Sequence, residues 1–592
     1  MKLLRLKITD QKGFRSLQPG FEHHFRSEWD LQKEQGFAPF VCAGPNGSGK
    51  SNLLEVLAAI FYQLEVLRVR RSFLPEALQE PEFDFAPAAF ELDYLIRVPP
   101  EYIKPDGPAW ARVGVWKNAD EPVRFRWENQ GEFNTNIYES FEAGYADILL
   151  PQYVLGYSSG ENEILSLPFF KMRFIQFDEY WNALTQQQIY PGRPETRLAY
   201  LDNGFSQAIL LCNLLFHDAE TLRPFREDVG VEGLTEFRII IRRSIAIDET
   251  QLPAFGSQDE NRRESVGDIV RNNPALIVTD DEDGSRRSYR VNLMTSLEGN
   301  ESDSPRIDGI IDQLTRCATC SYLDHATDTL YLDYYVNDAT KQAFRENFDF
   351  EVNKSPIALF QALQVLLTLN LYTVSEQLKS DLYQSDSLYV SETVPTLASD
   401  QRIMRIKEFK LKKAGAEKPV LLKSLSDGEH QLLHSLGLCL LFRNTRSLFL
   451  LDEPETHFNP DWRSNFVTRL HQCFDGTEGN HEMLVTTHTP FLISDSKPEK
   501  VLVFKKANGT VSVARPDYNT LGASINKITM NTFNKRETIG GHAQAELEKF
   551  RRRFNEGQDK EQLIAEINQT LGDSVEKVLL IKTILDSTEA QG

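Results

Sequence analysis

No stretch of this chain approaches the roughly 18 consecutive apolar residues of a membrane-spanning helix. Charges stand near its N-terminus where a signal peptide would carry its apolar stretch. Both absences lead us to expect a cytoplasmic protein with no membrane partner. Cysteine is scarce, with six in 592 residues, at Cys42, Cys212, Cys317, Cys320, Cys439 and Cys473. They are dispersed and several lie in apolar segments, as reduced buried thiols do, which excludes a disulfide framework. Only Cys317 and Cys320 form a Cys-x-x-Cys pair. With His325 they could begin a zinc site, but no second pair follows at suitable spacing. Positive charge is also in deficit: 65 Lys and Arg stand against 86 Asp and Glu, a formal net charge of −21. A surface that grips DNA as a whole is usually basic, so bulk electrostatics argue against tight nonspecific binding. Two local basic strips remain, Lys549-Phe550-Arg551-Arg552-Arg553 and Lys410, Lys412 and Lys413. Each reads either as a nucleic-acid contact or as a solvated face, the first lying where positive charge complements a helix C-terminus.

What the chain does contain is a complete phosphate loop, Gly44-Pro45-Asn46-Gly47-Ser48-Gly49-Lys50-Ser51. It follows an apolar strand, Pro39 to Ala43, and opens a helix carrying Leu53, Leu54, Leu57, Ile60 and Phe61 at helical spacing. Glycines let successive N–H groups turn inward on phosphates, Lys50 reaches the outer phosphate oxygens, and Ser51 can ligate Mg²⁺. Asn52, next on the helix, is grouped with the loop. The expected cofactors are ATP and Mg²⁺. Far downstream, Ser447 to Leu451 is an apolar strand ending in Asp452 and Glu453. Asp452 suits the metal side of such a site. Glu453, pointing elsewhere, can polarise an attacking water.

Between these segments lies Leu425-Ser426-Asp427-Gly428-Glu429, followed by an apolar helix, and after them comes Met483-Leu484-Val485-Thr486-Thr487-His488. With these four ordered motifs the chain resembles the ABC-type ATPases of the SMC, RecF and OLD-like group. The stretch Asp452-Glu453-Pro454-Glu455 adds a likeness to the RecF and OLD-like branch. The resemblance implies that Ser426, Gly428 and Glu429 form a signature closing over nucleotide held by another subunit. It implies that His488 is the switch histidine reading the γ-phosphate. Asp427 departs from the pattern, standing where many relatives have glycine. The glutamine that links metal to the neighbouring lobe has Gln79 as its nearest candidate. Phe14-Arg15-Ser16-Leu17 resembles the family's arginine near the nucleotide, though Arg15 reads equally as an ordinary solvated arginine.

The interval from Ser51 to Leu425 carries no heptads and no fixed repeat, so a long coiled coil is excluded. Strands are expected at Gln152–Tyr157, Phe237–Ile241 and Thr329–Val336, and apolar helices at Phe205–Phe216 and Ile357–Gln377. An acidic turn is expected at Asp280 to Gly284. The fold class is therefore α/β: a P-loop ATPase head in two sequence pieces, 1–165 and 400–592, interrupted by a compact α/β insertion over 166–399. Two to four lobes also follow from length. After His488 there is no Asp-x-Asp pair, and no HNH-type cluster is present, so no intrinsic nuclease is expected. The chain looks like the stand-alone ATPases of bacterial antiphage systems, notably the Septu type and those beside restriction systems or retrons. That likeness implies self-assembly through composite ATP sites and a separate effector nuclease of HNH type. A RecF-like repair ATPase, clamping DNA as an ATP-closed dimer, is the alternative. The segment from Tyr518 onward exceeds what a head needs and reads either as cover for it or as a docking element.

Overall fold

The computed structural model describes residues 1–33, 36–69, 74–79, 85–134, 146–159, 165–186, 197–256, 264–280, 287–294, 307–348, 355–385, 394–477, 481–533 and 539–589. Its centre is a seven-stranded sheet in the order Thr510–Ala514, Val501–Ala507, Phe40–Ala43, Glu482–Thr487, Ser447–Asp452, Tyr153–Ser158, Leu198–Tyr200. All neighbours are parallel except the Thr510–Ala514 edge. Phe40–Ala43, Ser447–Asp452 and Glu482–Thr487 are buried along their whole length, as strands covered on both faces must be. The helix Lys50–Val66 covers one face, packing on the Ser447–Asp452 strand and on the helix Leu167–Thr185. At Gly156 a Cβ would lie 2.6 Å from the Phe169 ring and 2.9 Å from Tyr200, so only glycine fits between strand and helix there.

A five-stranded antiparallel sheet, ordered Glu22–His24, Lys2–Ile8, Phe90–Arg97, Trp110–Lys117, Arg124–Trp127, stands beside this core. Phe90–Arg97 alternates buried and half-buried residues, the mark of one covered face. Glu482 ties the two sheets together by accepting from Leu3 N at 2.8 Å and from the buried Arg26 guanidinium. A second five-stranded sheet runs Cys320–Asp324, Thr329–Tyr335, Val231–Arg242, Met404–Lys413, Val420–Leu421, and a small three-stranded sheet completes the set.

Several expectations change on inspection. The division at 165 does not separate sheets, because Leu198–Tyr200 belongs to the central one. The division at 400 is crossed as well, since Met404–Lys413 pairs antiparallel with Val231–Arg242. The helix expected over Ile357–Gln377 stops at Thr368, continues as a tighter turn over Leu369–Thr373, and a new helix, Glu376–Gln384, starts on the Ser375 cap. The acidic turn expected at Asp280 to Gly284 lies, from Asp281 on, outside the described residues. Near the C-terminus, Gly541–Asn555, Lys560–Thr570 and Val575–Glu589 pack on each other around their own core of Leu547, Phe550, Leu563, Ile567, Leu580 and Ile584. They form a separate bundle with its own apolar centre. Among the described residues no single helix is long and apolar enough to cross a membrane.

Candidate nucleotide site

The parallel register sets the site. Asp452 stands opposite Thr486 on one side and Ser158 on the other, and Thr487 is opposite Ala43, the residue before the phosphate loop. The carboxyl ends of four strands therefore converge on one edge, where helix N-termini in such sheets receive ligands. Within the loop, Gly44, Gly47 and Gly49 hold φ of +147°, +72° and +98°. A Cβ on Gly44 would lie 2.4 Å from the Phe504 carbonyl, so the loop can pass the neighbouring strand only as glycine. Gly49 caps the helix without any side-chain hydrogen bond, which leaves the first-turn N–H groups to an anion. Lys50 is buried and its Nζ donates to the carbonyls of Gly44 (3.1 Å) and Pro45 (3.2 Å). Burial lowers its pKa, and the carboxylates of Glu453 and Asp452 oppose that shift. The Ser48 hydroxyl is buried with no hydrogen-bond partner. An orphaned hydroxyl beside a buried ammonium and uncapped amides fits a polyanion in this loop.

Ser51 Oγ donates to Asp452 Oδ1 at 2.9 Å, joining residues 401 positions apart. The Thr486 hydroxyl donates to the same oxygen at 2.5 Å and accepts from the Glu453 N–H at 3.0 Å. Hydroxyl and carboxylate oxygens of this kind are hard donors that suit Mg²⁺. Glu453 takes a left-handed backbone, φ +50°, which is strained for a residue with a Cβ and recurs where function demands a direction. Its Oε1 lies 2.6 Å from His488 Nε2. That hydrogen bond, assisted by the charge of Lys50, holds the Glu453 carboxyl below the usual range, so it is ionised at neutral pH.

The remaining expected residues have partners of their own in this structure. Arg15, also at positive φ (+55°), binds Glu55 Oε1 at 2.8 Å on the phosphate-loop helix. Asn52 accepts from Ser16 Oγ at 2.5 Å and donates to Glu55 at 3.3 Å, completing a chain along that helix. Gln79 sits in the short helix Glu76–Gln79 and its amide donates to the Leu74 carbonyl. Ser426 is exposed and caps the helix Asp427–Leu441 in a reciprocal box with Glu429, which also pairs with Lys413. A Cβ on Gly428 would lie 2.8 Å from the His457 carbonyl, so this glycine permits close packing on the turn after Asp452. Cys317 is buried and Cys320 exposed, and no group of three or more His, Cys, Asp or Glu among the described residues could hold a metal.

Sequence reasoning passed over the polar contacts behind this edge. Gln431 accepts from His457 N at 2.8 Å, Ser159 N donates to the Asp452 carbonyl at 3.1 Å, and Thr487 donates to Glu455 Oε1. The hydroxyls of Thr486 and Thr487 ending an apolar strand were a usable signal. The neighbour they face depends on strand order.

Together the glycine loop, its helix, the Ser51–Asp452 bond and the mostly parallel sheet define a P-loop ATPase fold. Comparison with known proteins agrees at that level. Residues 299–494 match the family model described as an AAA domain, putative AbiEii toxin, type IV toxin–antitoxin system. That segment carries Ser426, Gly428, Asp452 and His488. Protein ea59 of Escherichia phage lambda is 25% identical over 118 residues, which is 20% of this chain and 22% of the phage protein's length. A crystal structure of the SmcHead bound to the C-winged helix domain of ScpA aligns over 87% of this chain and 97% of its own, at 10% identity. Its TM-score of 0.31 is too low to bear on the fold.

Glu455 yields a test of the packing behind the site. Burial raises its carboxyl to about 7 from an ordinary 4.5. The folded chain thus holds a proton that the unfolded chain releases between those values, and stability falls as pH rises from about 4.5 to 7. Glu455→Gln removes this penalty. We expect urea denaturation to find the variant more stable than wild type at pH 8, by on the order of 2 kcal/mol, with the gain nearly gone at pH 5. A difference independent of pH would contradict the assignment.

Proposed function

We propose that this chain binds and hydrolyses ATP with Mg²⁺, in sites shared between two copies, and that its nucleotide state governs a separate effector nuclease of HNH type in a bacterial antiphage defence complex. The observation that carries the chemical reading is the 2.9 Å bond from Ser51 to Asp452, which unites the phosphate loop with the acidic strand end. Ser51 and Asp452 would hold Mg²⁺, whose positive charge would offset that of the phosphates. Lys50 would exchange the Gly44 and Pro45 carbonyls for phosphate oxygens. The ionised Glu453 carboxylate would take a proton from the attacking water, and His488, bonded to its Oε1, would aim it. Glu453→Gln should bind ATP while turnover falls on the order of 100-fold. Steady-state hydrolysis equal to wild type would contradict this role.

The exposed Ser426 at the start of its helix supports a shared site, since it is accessible to a second copy. Neither Lys50→Ala nor Ser426→Arg alone should turn over ATP appreciably. Mixing the two should restore part of the activity, because one of the two sites in a mixed dimer is intact. No recovery, with mixed dimers shown by native mass spectrometry, would place the whole site within one chain. The defence reading draws support from the family description, which names a putative AbiEii toxin. Tagged Glu453→Gln chain recovered from its own host with ATP should carry a nuclease whose retention changes when nucleotide is removed. Repeated recovery without a nuclease would contradict the regulatory role.

A further inference from the structure

Most charges of the two basic strips visible in the sequence are paired in the fold. Lys410 pairs with Glu236, Lys412 with Glu232 at 2.8 Å, and Lys413 with Glu429. Near the C-terminus Lys549 pairs with Glu546, Arg551 with Glu548 and Arg553 with Glu566, each at 2.6 Å. Positive charge without ion-pair partners lies instead on one face of the sheet built from Cys320–Asp324, Thr329–Tyr335, Val231–Arg242 and Met404–Lys413, where Ile240 and Thr329 are buried beneath the longer side chains.

Strand register lines that face up. Tyr322 is opposite Tyr331, Tyr331 opposite Ile240, and Ile240 opposite Arg405, so one row runs across four strands. Cys320, Asp333, Arg238 and Lys407 form the next row, and Arg242 extends the face on the other side. Ile239 and Ile241, of opposite parity, point into the core. Arg238 is bound by Asp333. Among the described residues no carboxylate lies within ion-pair distance of Arg242, Arg402, Arg405 or Lys407. The Arg405 Nε is buried with no hydrogen-bond partner. Burial and the nearby charges of Arg402 and Arg242 lower the Arg405 pKa, against the pull of Tyr331 and Asp400. Tyr322 is 63% exposed, and its ring lies 6.1 Å from that of Tyr331. Asp324, also on this face, gives its carboxylate to Ala326 N and the Thr327 hydroxyl.

Clustered cations without ion-paired carboxylates are retained, in a chain of net charge −21, beside tyrosine rings on one sheet face. Phosphates satisfy the arginines, and unpaired bases satisfy the rings. We infer that this sheet face binds single-stranded nucleic acid, the backbone lying along Arg242, Arg402, Arg405 and Lys407 and bases stacking on Tyr322 and Tyr331. Stacking selects single strands, because a duplex hides the faces of its bases. The site is separate from the nucleotide edge and stands whether or not ATP is hydrolysed.

Fluorescence anisotropy of the full-length chain with labelled oligo(dT), oligo(U) and a DNA duplex, each of about 20 units, tests the inference. Either single strand should bind, which identifies DNA or RNA as the source, and raising salt from about 50 to 200 mM should weaken it. Arg242→Glu with Arg405→Glu should lower affinity at least about tenfold. Tyr322→Ala, at an exposed position, should lower single-strand affinity roughly fivefold or more. Circular dichroism should confirm that both variants remain folded. Lys549→Glu with Arg551→Glu should change nothing. Absence of binding by every probe, an equal loss in that control, or duplex binding unaffected by Tyr322→Ala would overturn the proposal.

Discussion

The hydrogen bond between Ser51 and Asp452 depends on one constraint, the parallel register of Phe40–Ala43, Glu482–Thr487 and Ser447–Asp452. A slip of one residue would turn Asp452 away from the loop and send its side chain to the other sheet face. The register is held because these strands are mostly apolar and buried along their whole length. Local detail at the edge follows from it. Thr486 can orient both Asp452 and the backbone of Glu453 because it stands beside them, and His488 meets Glu453 because it ends the same strand.

Cost and use are coupled at this edge. Glu453 holds a left-handed backbone that a residue with a Cβ adopts at about 1 kcal/mol or more. Lys50 and Glu455 are buried against the preference of their charged forms. The surrounding apolar strands and the helix Lys50–Val66 hold these groups in place, leaving a preorganised polar edge that needs little rearrangement to receive phosphate. The Gly428 contact with His457 shows the helix Asp427–Leu441 resting on the turn after Asp452, so a change at that turn can reach the exposed Ser426.

Much of this edge was legible because its residues are neighbours in sequence. Gly44 to Ser51 and Asp452-Glu453 declare themselves by local pattern, and the strands and helix around them were placed closely. What stayed hidden requires strand order. Leu198–Tyr200 gave no sign that it completes the central sheet, and Met404–Lys413 gave none that its partner is Val231–Arg242. Lys410, Lys412 and Lys413 looked like a basic strip until Glu236, Glu232 and Glu429 were brought beside them. The unpaired arginines are spread between residues 242 and 405, so no window of sequence collects them. Nothing in the sequence near Arg15 points to its partner, Glu55, one turn into the phosphate-loop helix. Gln79 stands out by position alone, and in the fold its amide donates to the Leu74 carbonyl.

The central claim is that Ser51 and Asp452 are two sides of one Mg²⁺–ATP site. Its most direct measurement is a structure of the chain with Mg²⁺ and a non-hydrolysable ATP analogue. The account predicts metal density between the Ser51 hydroxyl and the Asp452 carboxylate, with Lys50 drawn from the Gly44 and Pro45 carbonyls onto phosphate. Nucleotide bound elsewhere, or bound here with the Ser51–Asp452 hydrogen bond intact and Lys50 unmoved, would contradict it.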